Sequence, residues 1–241
     1  MKYREKDIEI IYEDSDLLVV NKPYGLVVNS SHTTKEETLQ DFLAEYLKIS
    51  LPDTLSSSTS QDFADVFMVR MGMAHRLDKD TSGVLLVGKT PESLQNLMAQ
   101  FKSREVGKNY IALTHGEIKN PLIDIQAPIG RNPKNRFRFA VTTEGKHAHT
   151  TIEVLKVSPG YTVVSVSPKT GRTHQIRVHL GAINHPVVGD VLYAPRGLLE
   201  ADQTKFGRLM LHARSIQCLH PTTGEKVTFE ATIPSEFENY L

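Results

Sequence analysis

Short extended runs outnumber helical segments in this chain, and the two kinds do not alternate. Extended character is read at Ile8–Tyr12, Leu17–Asn21, Leu26–Val28, Val84–Lys89, Lys108–His115, Arg136–Thr142, Thr150–Val157, Tyr161–Pro168, Arg214–Leu219 and Val227–Ala231. Helical spacing of apolar residues is confined to Thr38–Leu47, Pro91–Ser103 and Thr173–Leu180. Thr38 and Thr90 stand where N-caps belong. A parallel, doubly wound sheet needs a helix after nearly every strand. This pattern therefore predicts an α+β fold with a mixed, mostly antiparallel sheet and flanking helices. The Ser-, Thr- and Pro-rich stretch Ile49–Ser60 reads as a loop inserted within a domain.

With 241 residues, 39% of them hydrophobic, the chain can bury a full core. No apolar run approaches the roughly 18 residues of a membrane-spanning helix. The N-terminus is charged and has no apolar core of a signal peptide. The lone cysteine, Cys218, excludes an internal disulfide and a cysteine-based zinc site. These features point to the cytoplasm. Net charge is zero, but residues 130–180 hold nine basic and two acidic side chains. Such a concentration suits a face that meets phosphates, and equally a solvated surface with no partner.

Two segments gather chemistry. In Ala74–Gly83 the carboxylate of Asp78 follows Arg76 by two residues in a turn ahead of an apolar strand. An ionised carboxylate with limited access to water is a usable nucleophile, whereas an ordinary surface turn would need no such role. In Lys169–His179, Arg177 lies between Ile176 and Val178, so it is expected to be buried against an anion, either a structural one or a catalytic carboxylate. His147, His149, His174 and His179 have spacings that match no zinc pattern, so no metal is expected. There is no Walker loop, GxGxxG or GxSxG, hence no support for a nucleotide cofactor or a serine hydrolase. In Arg131–Phe139 cations alternate with aromatics. Alternation along a strand would put Arg136 and Arg138 on one face, with Phe137 and Phe139 pointing inward.

The segments NKPYGLVV (21–28), HRLDKDTSGVLLVGKT (75–90), KNYIAL (108–113), GRTHQIRVHL (171–180), HPVVGDVLY (185–193) and LHARSIQCLHPTTGE (211–225) occur in this order. Together they resemble the RluA-type pseudouridine synthases, which isomerise uridine in ribosomal or transfer RNA. The resemblance implies a sheet split by a central basic catalytic cleft, no cofactor and no metal. It implies that Asp78 is the catalytic carboxylate, acting on the sugar, on the uracil ring or as a base. Tyr110 would stack on the uracil, Arg177 would pair with Asp78, and Arg76 would fill the space left by the flipped nucleotide. His75, Arg136, Arg138, Arg172 and His174 complete the expected RNA contacts, on an rRNA or tRNA stem-loop. One catalytic domain over residues 1–241 is expected, without the S4 domain that many relatives carry, as a monomer that uses no membrane. Two departures stand out: Val28 is followed by Asn29-Ser30-Ser31-His32 in place of the family's frequent His-Pro pair, and the stretch around Leu55–Ser60 belongs to no family motif. Two other readings remain open at this point. One is an inactive RNA-binding protein of the same fold. The other is a nucleoside or glycoside hydrolase with Asp80 as second carboxylate.

Overall fold

A computed structural model describes residues 8–30, 36–49 and 63–241; most of the Ser-rich stretch, and Ser31 and His32, lie outside them. In chain order the elements begin with β1 (Glu9–Glu13), β2 (Leu17–Lys22), α1 (Leu39–Tyr46), α2 (Phe63–Arg70), β3 (Ser82–Gly88) and α3 (Pro91–Ser103). They continue with β4 (Gly107–His115), β5 (Leu122–Gln126), β6 (Ile129–Asn132), β7 (Asn135–Val141), β8 (His149–Ser158) and β9 (Tyr161–Pro168). The last are α4 (Gln175–Ala182), α5 (Arg196–Phe206), β10 (Leu211–Leu219) and β11 (Lys226–Glu230). The chain forms two compact units. One holds the residues up to Gly107 with Ser215–Ala231, the other Lys108–Arg214 with Thr232–Leu241.

In the first unit β2 pairs antiparallel with β1 and β3, and β10 with β11. β3 reads SGVLLVG and all seven residues are buried, so both of its faces are covered. Leu17, Val19, Val84 and Leu86 point to one face and meet Leu94 and Leu97 of α3, with Phe67, Ile216 and Phe229. Full burial of each of these leucines is worth on the order of 2 kcal/mol. α3 starts where expected: Thr90 Oγ1 accepts the Ser93 N–H at 3.1 Å and Pro91 takes the first turn, where no N–H is needed. The turn into α3 is tight. A Cβ on Gly88 would lie 2.5 Å from the Leu94 nitrogen, so only glycine fits.

In the second unit β4, β9, β8 and β5 form an antiparallel sheet, and β6 with β7 form a separate two-stranded ribbon. The expected α+β class with a mixed, mostly antiparallel sheet is borne out, one parallel contact being the isolated bridge Val27–Thr38. That bridge also corrects the extended run expected at Leu26–Val28, of which Val27 alone is bridged. α4 begins at Gln175, two residues later than expected, because His174 takes a left-handed backbone (φ 55°) that cannot continue a helix. Four elements had no sequence forecast: α2, β5, β6 and α5. FADVFMVR is apolar almost all round and LIDIQ is a short edge strand, so neither shows a clean stripe.

Candidate active site

In the first unit the segment around Asp78 is fixed from several directions. Leu77 is buried, Asp78 is half-buried, and the Asp78 carbonyl accepts the Thr81 N–H at 3.1 Å. The next carbonyl, of Lys79, accepts from the Gly25 N–H at 3.0 Å and from Lys22 Nζ at 2.9 Å. Lys22 is wholly buried and also donates to the carbonyls of Pro23 and Leu26, each at 2.9 Å. A buried ammonium is costly unless its donors are used. Here it ties the NKPYG turn to the turn after Asp78, and the pairing of Lys22 with Gly83 on β3 brings the two together. Sequence reading missed Lys22, although it stands inside a quoted motif. His75 is turned into the unit: its Nε2 accepts the Leu86 N–H at 3.0 Å and its ring lies 4.7 Å from that of Phe101. That geometry gives His75 a structural use, while Arg76 beside it is exposed.

In the second unit all six residues Gln175–Leu180 of α4 are buried, and their polar groups are paired. Arg177 was expected to be buried against an anion, and it is. Its Nε and Nη2 each donate at 2.7 Å to the two oxygens of Asp190, whose side chain is fully buried. Asp190 Oδ1 also accepts the backbone N–H groups of Leu192 and Tyr193. Asp190, within the HPVVGDVLY motif, was the second residue missed. Its place is set by Gly189 (φ 75°), where a Cβ would collide with the Arg208 carbonyl. The Arg177 guanidinium lies over the Tyr193 ring, 5.2 Å from its centre. Tyr193 Oη stands 2.8 Å from His174 Nδ1 and accepts the Phe139 N–H at 3.1 Å, which ties β7 to the start of α4. Arg172 donates through Nε to the His147 carbonyl at 2.9 Å.

Tyr110 is half-buried in β4, opposite Val166. Lys108, two residues earlier, points to the same side of the strand and donates to the Thr170 carbonyl at 3.2 Å. Burial, with Lys169 nearby, pushes the Lys108 ammonium down to about 8. Two more of the four histidines, His149 and His179, are engaged by protein groups. His149 Nε2 is 2.6 Å from Asp124 Oδ1. His179 Nε2 is 3.0 Å from the Ala127 carbonyl and its Nδ1 is 2.9 Å from Thr150 Oγ1. Since a carbonyl only accepts, Nε2 carries the proton; burial holds this imidazole below its ordinary pKa.

The basic ribbon corrects one expectation. Pairing of β6 with β7 jumps from Arg131–Phe139 to Asn132–Asn135, which leaves Arg136, Phe137 and Arg138 without opposite numbers. Alternation fails across such a bulge. Phe139 does turn inward, half-buried against His174 and beneath the Arg131 guanidinium. Phe137 does not; it is 88% exposed. Arg136 is exposed and Arg138 half-exposed.

A family model described as RNA pseudouridylate synthase matches residues 16–182 of the chain. The chain belongs to the RNA pseudouridylate synthase family. Ribosomal large subunit pseudouridine synthase D of Pseudomonas aeruginosa is 38% identical over 239 residues, which cover 96% of this chain and 70% of that protein. A Bacillus subtilis protein described as uncharacterized RNA pseudouridine synthase YlyB is 39% identical over 235 residues, 98% of this chain and 72% of its own length. Among solved structures, human RNA pseudouridylate synthase domain containing 1 superposes with a TM-score of 0.72 at 28% identity, covering 98% of this chain and 87% of that one. The protein is thus an isomerase that acts on RNA. Membership decides against the hydrolase reading with Asp80. Among the described residues, no helix is long and apolar enough to cross a membrane.

Proposed function

We propose that the enzyme converts specific uridines of a structured rRNA or tRNA to pseudouridine, with Asp78 as the reacting carboxylate. Tyr110 is the ring that stacks on the target uracil, and Arg177 is the fixed cation serving the same reaction. The observation that carries this reading is the bracing of the Asp78 turn by buried Lys22, which has no use in a merely solvated loop. A carboxylate whose own carbonyl and the next one are both held meets the demand for a reacting group placed before substrate arrives. Arg177 adds support, since a guanidinium locked by Asp190 keeps its charge at one place through the reaction. Large-subunit rRNA is the favoured substrate class, because similar proteins of Pseudomonas aeruginosa and Buchnera aphidicola are described as ribosomal large subunit pseudouridine synthases D and C. The base must leave the stack for its glycosidic bond to reach a side chain, so a flipped uridine is the reacting form.

The test is pseudouridine mapping by carbodiimide adduct and primer extension on total RNA from cells with and without the gene. Loss of one or a few defined sites, regained in vitro on an unmodified transcript with purified protein, is expected. No lost site, together with no pseudouridine formed by purified protein on rRNA or tRNA transcripts, would overturn the proposal.

A further inference from the structure

We infer that Phe137 is a stacking platform for an unpaired base of the RNA, presented by the bulge in β7 between two arginines. The inference rests on the proposed function, in which the enzyme acts on a structured RNA. Among the described residues no other large apolar side chain is as exposed as Phe137, at 88%. Its exposure is built rather than incidental. The Phe137 N–H donates to Asn135 Oδ1 at 3.1 Å, and Arg131 Nη1 donates to the Arg136 carbonyl at 2.9 Å. At the turn, Asn132 Oδ1 accepts the Lys134 N–H at 2.9 Å. These bonds hold the three unpaired residues of the bulge in a fixed shape, with the ring in water.

The chemistry around the ring selects its occupant. Lys134, Arg136 and Arg138 all lie within three residues of it in the chain and bring positive charge to this segment, while Arg131 is engaged by the Arg136 carbonyl and the Phe139 ring. A docking patch for an apolar protein surface would gather several apolar side chains. Here one aromatic face stands among cations, which matches the combination of base stacking and phosphate neutralisation found for single-stranded nucleic acid. A paired duplex offers no free base face, so the site distinguishes single from double strands.

The chain contains no tryptophan, so Phe137→Trp adds a lone fluorescent reporter at the site. The probe is a twelve-nucleotide oligouridylate, alone or annealed to oligoadenylate, added to the full-length protein. Binding of the single strand should quench the emission of Phe137→Trp, and Phe137→Ala should bind it about 5- to 150-fold more weakly. The slope of affinity against salt should be unchanged in Phe137→Ala, because no phosphate contact is lost. Melting should be unchanged too, since the ring is 88% exposed. Wild-type affinity in Phe137→Ala would overturn the inference, as would equal losses for single strand and duplex. Pseudouridine formation by the wild-type protein is read separately. An active enzyme whose Phe137→Ala variant binds normally would sink this inference alone; an inactive wild type would sink the functional proposal.

Discussion

At Asp78 its own carbonyl and that of Lys79 are taken up by backbone N–H groups and by the ammonium of Lys22, and the preceding Leu77 is buried. Around Phe137 the chain leaves its ladder, and the side chains from Lys134 to Phe137 stand in water. Both segments are preorganised, but for different work. The first spends buried polar groups on holding one carboxylate; the second spends surface hydrogen bonds on displaying cations and one ring. A reacting group gains from tenths of an ångström of placement, whereas a partner steered by charge needs only a positive face within a Debye length. Chemistry and affinity should therefore separate by region, and substitutions in each region test that division.

The largest effect outside Asp78 is expected at Asp190. Asp190→Asn takes the bidentate carboxylate away from the buried Arg177 guanidinium, at a cost of about 3–5 kcal/mol, and a chemical denaturation curve should show it. Wild-type stability would mean that the pair does not fix Arg177. Next, Lys22→Met strands the carbonyls of Pro23, Leu26 and Lys79, costing about 1–3 kcal/mol. If the bracing positions Asp78, kcat falls while RNA affinity holds; a change in affinity alone would blur the division. On the ribbon, replacing both Arg136 and Arg138 by Glu should weaken binding at low salt and lower the salt slope by about 2, with turnover of saturated enzyme retained. An unaltered slope would remove these arginines from the phosphate contacts.

The smallest effect is one of pH. His179 is held below its ordinary value of 6.5 by burial, so in the window just under that value the unfolded chain binds more protons than the folded one. Stability is therefore lost as pH falls below 6.5. The melting temperature should drop between about pH 7.5 and about pH 5.5, and His179→Gln should be less stable at the higher pH yet drop less. Equal drops in both proteins would place the acid sensitivity elsewhere.

How far the sequence spoke follows the same division. Strands with period-two or continuous apolar runs and helices with a capping threonine were legible: Tyr161–Pro168 and Pro91–Ser103 have the ends expected of them. Resemblance singled out Asp78, Tyr110 and Arg177, and the burial of Arg177 against an anion was legible from its apolar neighbours. What escaped was long-range polar pairing. Nothing local to Lys22 announces that its ammonium will be buried on three carbonyls, and Asp190 meets Arg177 across thirteen residues. Phe137 failed for a different reason: the alternation rule assumes an unbroken ladder, and a three-residue bulge reverses its outcome. His174 failed through its backbone, since a non-glycine residue at φ 55° leaves no mark in the pattern.

We propose that chemistry resides in the braced carboxylate of Asp78 while RNA is held chiefly by other residues. Asp78→Asn keeps the size and backbone bonds of the turn and removes the charge. Single-turnover pseudouridine formation on the transcript identified by mapping, measured beside the affinity for the same RNA, tests the claim directly. A loss of turnover of about 10²–10⁴-fold is expected, with affinity within about twofold of wild type. Turnover retained by Asp78→Asn would contradict it.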